Sequence, residues 1–249
     1  MSKKKKNKSY SKTELIIALI IVIVLAVAKY FNIDIPGTIA KAIGMEKISY
    51  TTSFDLNSVP EFKDEPYVVL NNNQPGFTDE ELTEDVFESY SELDYLGRCG
   101  VAYACVGLET MPTEARKEIG MIKPSGWRNE KYDFIDGKYL YNRCHLIGFQ
   151  LTAENDNEKN LITGTRYLNV KGMLPFENEV AKYVKETQNH VLYRVTPIYE
   201  GENLVASAVQ MEAKSVEDNG EGICFNVYVY NNQPGVVIDY KTGESKLAE

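Results

Sequence analysis

Tyr141-Asn142-Arg143-Cys144-His145-Leu146-Ile147-Gly148 is followed by Asn160-Leu161-Ile162-Thr163-Gly164-Thr165, then by Asn169 and Glu177. His145 is one of two histidines in the chain, the other being His190. Arg143 stands two residues before it, and Asn160, Asn169 and Glu177 follow at successive intervals of 15, 9 and 8. A neutral imidazole can take a proton from water near neutral pH. A guanidinium offers a planar fork that matches a phosphate. Amide and carboxylate oxygens are hard donors suited to Mg²⁺. These are the parts needed for metal-assisted attack of water on a phosphodiester. An Arg-x-His triplet alone is common, so the information lies in the spacing.

Strand signals surround this stretch. Tyr67–Leu70, Gly100–Gly107, Val191–Pro197, Asn203–Ala213 and Ile223–Tyr230 read as strands. Asn71-Asn72-Asn73-Gln74-Pro75-Gly76 closes the first, and Asn231-Asn232-Gln233-Pro234-Gly235 closes the last with a similar turn. Asn178–Thr187 reads as a helix with Val180, Ala181 and Val184 on its apolar face. Leu82, Val86 and Tyr90 at helical spacing, behind Thr78 as a cap, predict a second helix over 78–90. Met111–Gly120 reads as a short helix or loop. Strands bracketing a helical middle predict an α+β class with a mainly antiparallel sheet.

The first 28 residues are different. They hold six lysines (Lys3, Lys4, Lys5, Lys6, Lys8, Lys12) against Glu14, and then the 14-residue apolar run Leu15–Ala28. A positive stretch before an apolar run is an export signal. Residues 13–31 approach the length of a membrane span, with the lysines cytoplasmic and the remainder outside. Ala26-Val27-Ala28 also fits a cleavage site, so anchor and removed signal peptide both stand. The expected layout is a cytoplasmic tail and anchor helix over 1–31, a linker over 32–65 and one domain over 66–249. The formal charge is −9 overall and −14 for residues 29–249, where 21 Lys and Arg face 35 Asp and Glu. That balance excludes a simple basic nucleic-acid coat. One apolar run excludes a polytopic transporter. Four cysteines (Cys99, Cys105, Cys144, Cys224) exclude a disulfide-dense scaffold, the lack of a C-x-x-C pair argues against a structural zinc site, and mostly buried free thiols are expected.

The spacing of the central stretch resembles the DNA/RNA non-specific endonucleases of the ββα-metal superfamily, which include secreted and membrane-bound DNA-entry nucleases. Their signature is Asp-Arg-Gly-His at a strand end, followed by an Asn-Ile-x-Pro-Gln-like segment. A metal-holding asparagine comes nine residues after that segment's first asparagine, and a glutamate eight further on. His145, Asn160, Asn169 and Glu177 stand in this register. The resemblance covers roughly residues 66–240 and implies a ββα-metal fold, a mainly antiparallel sheet flanked by helices. It implies that His145 is the general base and that Asn169 is the one direct protein ligand of Mg²⁺, with Mn²⁺ as a substitute. Glu177 would orient the metal's waters, Arg143 would contact the phosphate, and Asn160 would fix the loop. The substrates would be DNA and RNA, cut to leave 5′-phosphates.

The chain departs from the signature twice, with Asn142 for aspartate and Cys144 for glycine. The amide removes a negative charge, and Cys144 would be strained if the backbone there needed positive φ. Arg116, Lys123, Arg128 and Arg166 are further candidates for phosphate contact, and Trp127 for stacking on a base. With Lys171 they all fall between residues 116 and 171, whereas acids concentrate in 55–94 and 200–221. A basic cleft on an acidic protein is expected. The competing function is a catalytically impaired surface protein of the same fold that binds nucleic acid or a protein partner. No inhibitor partner and no oligomeric state can be read from the residues.

Overall fold

The computed structural model describes residues 54–249, which fall within the compact unit Ile48–Glu249. The lysine-rich start, the apolar run and residues 32–53 of the expected linker lie outside the described residues. In chain order the strands are β1 (Tyr67–Val69), β2 (Phe87–Tyr90), β3 (Ala102–Val106), β4 (Tyr141–His145), β5 (Leu161–Thr165), β6 (Val191–Ile198), β7 (Ala208–Ser215), β8 (Cys224–Tyr230), β9 (Val236–Ile238) and β10 (Ser245–Leu247). Among the described residues the α-helices are α1 (Phe149–Thr152) and α2 (Leu174–Thr187). Six strands form one sheet in the order β1-β8-β7-β6-β3-β2, with every neighbouring pair antiparallel. β4 and β5 form a separate hairpin, and β9 and β10 a second one.

Alternation decides which side of the sheet is covered by what. Val191, Tyr193 and Val195 of β6 join Met211 of β7 and Phe225, Val227 and Val229 of β8 on one face. Against that face pack Cys144 of β4, Ile162 of β5, and Phe176, Val180 and Val184 of α2, all buried. The opposite face carries Ile198, Ala208, Tyr228 and Tyr230, with Phe54, Val59 and Phe62 of the incoming chain packed on them. The stretch from Tyr141 to Glu177 therefore sits in a hairpin-and-helix layer laid over one face of the sheet.

The mainly antiparallel sheet is as expected of the α+β class, though among the described residues helices are fewer than a sheet flanked by helices implies. The helix predicted over 78–90 does not form. Thr78 does cap, in a reciprocal capping box with Glu81, but only a single 3₁₀ turn, Asp79–Glu81. Phe87–Tyr90 instead pairs with β3 at the sheet edge. Six acids in this segment place Glu80 opposite Glu84, Glu81 opposite Asp85 and Glu84 opposite Glu88 at i,i+4, which opposes a helix. Phe87 gains an edge-to-face contact with Tyr103 in the strand form, at 5.0 Å between centroids. Residues 111–120 take the loop alternative.

The two similar turn clusters lie at opposite ends of the sheet, because β1 and β8 run antiparallel with Tyr67 opposite Val229. Each supplies an asparagine staple. Asn73 donates to the Cys224 carbonyl at 3.0 Å. The fully buried Asn231 accepts from Thr165 N–H at 2.8 Å and donates to the Thr163 and Ala206 carbonyls, tying β5 to the sheet.

Candidate active site

β4 ends on His145, whose register partner is Leu161 at the start of β5. Asn160 is fully buried where the hairpin strands meet. Its carbonyl accepts from Leu146 N–H, its Oδ1 accepts from Ile147 N–H, and its Nδ2 donates to the Ile147 carbonyl, each at 2.9 Å. The backbone just after His145 is thus clamped on both polar groups of one residue. After β5 the chain enters a π-helical stretch, Leu168–Met173, that runs into α2. Such wide turns recur where a helix must present a side chain out of its regular path. This one carries Asn169, and the first turn of α2 carries Glu177.

His145 is only 6% exposed. Its Nε2 lies 2.8 Å from the Asn155 carbonyl. A carbonyl can only accept, so Nε2 holds the ring proton and Nδ1 presents the lone pair. Arg116 Nη2 approaches that lone pair at 3.3 Å and can only donate. Burial, aided by the Arg116 charge and opposed by the Asn155 and Glu154 backbone, pushes the His145 pKa down to about 4. The imidazole is therefore neutral at pH 7, with its basic nitrogen covered by the exposed Arg116.

Glu177 is buried, and burial lifts its pKa to about 7 against the lowering contributions of Gln150 and Arg116. Its carboxylate lies against Gly148, where a Cβ would come within 2.6 Å of Oε2. Asn169 Oδ1 accepts a hydrogen bond from the Cys144 thiol at 3.3 Å. Cys144 is buried in β4 with ordinary φ, so the strain considered for it is absent. Asn142 is half-buried, and its Nδ2 is buried without a hydrogen-bond partner.

Arg116, Arg143, His145, Arg166, Asn169 and Glu177 line one cleft of about 400 Å³. Four of these six, Arg116, Arg143, Arg166 and Asn169, also line a neighbouring cleft of about 880 Å³. Lys123, Trp127, Arg128 and Asn142 are also among the residues of that larger cleft, whose lining holds five cations and no carboxylate. This is the basic cleft expected of an acidic chain. Asn160 lines neither cleft and acts from beneath. Arg143 is more constrained than its sequence position suggested. It donates through Nη2 to the Gly120 carbonyl at 2.7 Å and through Nε to Ile122, and its Cζ lies 4.1 Å above the Trp127 ring. Trp127 also packs against the Ile135, Leu140 and Tyr141 cluster, so it both anchors the loop and lines the cleft. Arg166 pairs with Asp136 at 2.8 Å, and Arg128 donates to the Thr242 carbonyl at 3.2 Å. His190 is held by Glu217 at 2.6 Å and does not line either cleft. All four cysteines are free, three of them buried.

Asn155 and Gln150 were not legible as site residues. Asn155 acts through its carbonyl, which any residue type could supply. Its side chain also accepts from Lys117 N–H at 3.2 Å, which pins the Arg116 loop. Among the described residues no cluster of three or more His, Cys, Asp or Glu could hold a metal. The hard oxygens of Asn169 and Glu177 on one cleft suit a cation that keeps most of its waters. The buried Glu177, with its pKa raised, is a group whose ionised form a nearby cation would favour.

The family model for DNA/RNA non-specific endonuclease matches residues 78–217. The structure is similar to NucA from Streptococcus agalactiae with no metal bound, at 26% identity and a TM-score of 0.66, over 78% of this chain and 92% of that one. It is similar to NucA with magnesium ion bound at 25% identity and a TM-score of 0.68, over 78% and 93%. Sda1 nuclease with bound zinc ion is similar at 25% identity and a TM-score of 0.60, over 74% and 97%. The motif register, the ββα arrangement around it and these likenesses agree: the chain is an endonuclease and belongs to the DNA/RNA non-specific endonuclease family.

Proposed function

We propose that this endonuclease is a Mg²⁺-dependent enzyme that hydrolyses DNA and RNA phosphodiesters without regard to sugar, with His145 as general base. The observation that carries this is an imidazole whose Nε2 donates to the Asn155 carbonyl, leaving the lone pair on Nδ1, in a cleft shared with Asn169, Glu177 and three arginines. Nδ1 takes a proton from the attacking water, and the new P–O bond forms as the P–O3′ bond breaks, leaving a 5′-phosphate. Asn155 keeps the ring in the required tautomer throughout. A phosphate in the cleft competes with Nδ1 for the Arg116 guanidinium, so substrate binding itself uncovers the base. Arg143, fixed by carbonyls and Trp127, faces the charge that builds on the phosphate.

Asn169 would hold the cation directly, and Glu177 would hold its waters. When bound, the cation would supply charge neutralisation at the phosphate and the departing oxygen. The magnesium of NucA and the zinc of Sda1 support a divalent ion, with Mg²⁺ favoured here by oxygen donors and Mn²⁺ as a substitute. Lys123, Arg128 and Arg166 contact neighbouring phosphates, which makes binding indifferent to sequence. The lysine-rich start and the apolar run support an enzyme exported from the cell, tethered to the membrane by residues 1–31 or released by cleavage.

The test is digestion of supercoiled plasmid and of RNA with Mg²⁺, with Mn²⁺ and with EDTA, followed by end-group analysis. Cleavage of both substrates, stopped by EDTA and leaving 5′-phosphates, is expected. A folded protein that binds nucleic acid but cuts neither substrate with any divalent ion would favour the impaired-protein alternative.

A further inference from the structure

The residue that stands in place of the signature glycine has a job in this structure. Cys144 is 1% exposed and sits next to His145 in β4. Its Sγ lies 3.3 Å from Asn169 Oδ1 and 3.5 Å from Met173 Sδ, on the first and last thirds of the π-helical stretch. Space for the thiol comes from Gly164 on the partner strand, where a Cβ would come within 2.6 Å of Cys144 Cβ. Thus a side chain added at one position is matched by its absence across the hairpin. Both Asn142 and Cys144 project from the same side of β4, since side chains alternate along a strand.

The geometry points to Cys144 as a positioning residue for Asn169, its thiol holding the amide so that Oδ1 faces the cleft. This rests on the assignment of Asn169 as the metal ligand. The chemistry is specific. A primary amide can rotate to present either NH₂ or oxygen, and only oxygen binds a cation. A thiol proton pointing at Oδ1 favours one orientation and leaves the second lone pair of that oxygen for the metal. The link runs covalently to His145 and by hydrogen bond to Asn169, so the base and the metal ligand share one support.

The test is Mn²⁺ binding by the full-length protein, read by electron paramagnetic resonance and calorimetry, with urea unfolding as a check on folding. Cys144→Ala is expected to weaken Mn²⁺ binding about tenfold, the loss typical when a ligand's outer support is removed. Cys144→Ser keeps a donor on a shorter arm and is expected to fall between Cys144→Ala and wild type. A role in packing alone predicts the reverse order, because a buried hydroxyl fits an apolar gap worse than a methyl does. Wild-type affinity in folded Cys144→Ala, or the reversed order, would overturn the inference. Asn169→Ala separates the two levels of the proposal. If it abolishes binding while Cys144→Ala does not change it, only the positioning role fails. If Asn169→Ala binds Mn²⁺ as wild type does, the ligand assignment fails, and the Cys144 role with it.

Discussion

Asn160→Ala should unfold the site before it touches any reacting group. The side chain is fully buried and satisfies both the N–H and the carbonyl of Ile147, each at 2.9 Å. Truncation strands two buried backbone groups, each costing about 1–3 kcal/mol. A small cavity adds to this, so about 3–5 kcal/mol is expected from a total stability of roughly 5–15 kcal/mol. For a domain of this size each kcal/mol lowers Tm by about 2–4 °C, so a fall of about 6–20 °C follows. Asn160→Asp keeps the acceptor for Ile147 N–H but loses the donor, and it sets a carboxylate against a carbonyl. It should be no milder than about 2 kcal/mol at neutral pH. The assay is urea unfolding at constant m-value, with plasmid cleavage measured well below the transition of the variant. Activity should drop as well, because Ile147 is two residues from His145. A loss under about 1 kcal/mol with unchanged cleavage would refute the clamp, since no relaxed arrangement could satisfy both Ile147 groups so cheaply.

Other outcomes follow from the same geometry. Because the His145 pKa is pushed down to about 4, kcat/KM at saturating Mg²⁺, where the cation keeps Glu177 ionised, should stay level as pH falls from 8 to 6, declining only below about pH 5. The folded protein also binds fewer protons at His145 than the unfolded chain does, so this residue costs stability as pH falls from about 6.5 toward 4; a kcat/KM profile breaking near 6.5 would contradict the burial. Glu177, raised to about 7, gives the opposite sign: the metal-free folded form holds a proton that the unfolded chain releases above about 4.5, so stability falls as pH rises through that window. Glu177→Gln should therefore stabilise the metal-free protein at pH 8 by about 1–3 kcal/mol while reducing cleavage at least about 100-fold, as thermal melts with and without Mg²⁺ would show. Replacing Lys123 and Arg128 by alanine should weaken DNA binding to a similar degree across sequences, lowering the slope of log K against log salt by about 1 for each phosphate no longer neutralised. Fluorescence anisotropy at several salt concentrations measures it, and an unchanged slope would remove these two residues from the interface.

Much of the candidate site was legible because the chemistry proposed for it is carried by residue identity and spacing. The roles proposed for His145, Asn169 and Glu177 need particular side chains, and the hairpin and helix that join them set their intervals. Their convergence on one cleft follows from that register. Contacts made by backbone atoms left no mark. The Asn155 carbonyl sets the His145 tautomer, and the carbonyls of Gly120 and Ile122 take up Arg143, yet none of these depends on side-chain type. The segment over 78–90 failed for a related reason: apolar spacing suggested a helix, while charge repulsion and the pairing of Phe87 with the sheet favoured an edge strand. The separation of the β4–β5 hairpin from the main sheet depends on long-range staples such as Asn231, which read in sequence only as a turn. The pairing of Cys144 with Gly164 was likewise invisible without the register of the two strands.

The central claim is that His145 is the base, and single-turnover plasmid cleavage by His145→Ala tests it most directly, with DNA and Mn²⁺ affinities measured on the same protein. The rate should fall by about 10²–10⁴-fold while both affinities stay within a few fold of wild type. Cleavage that survives the substitution at a comparable rate in a folded variant would contradict the account and move the base to another group in the cleft.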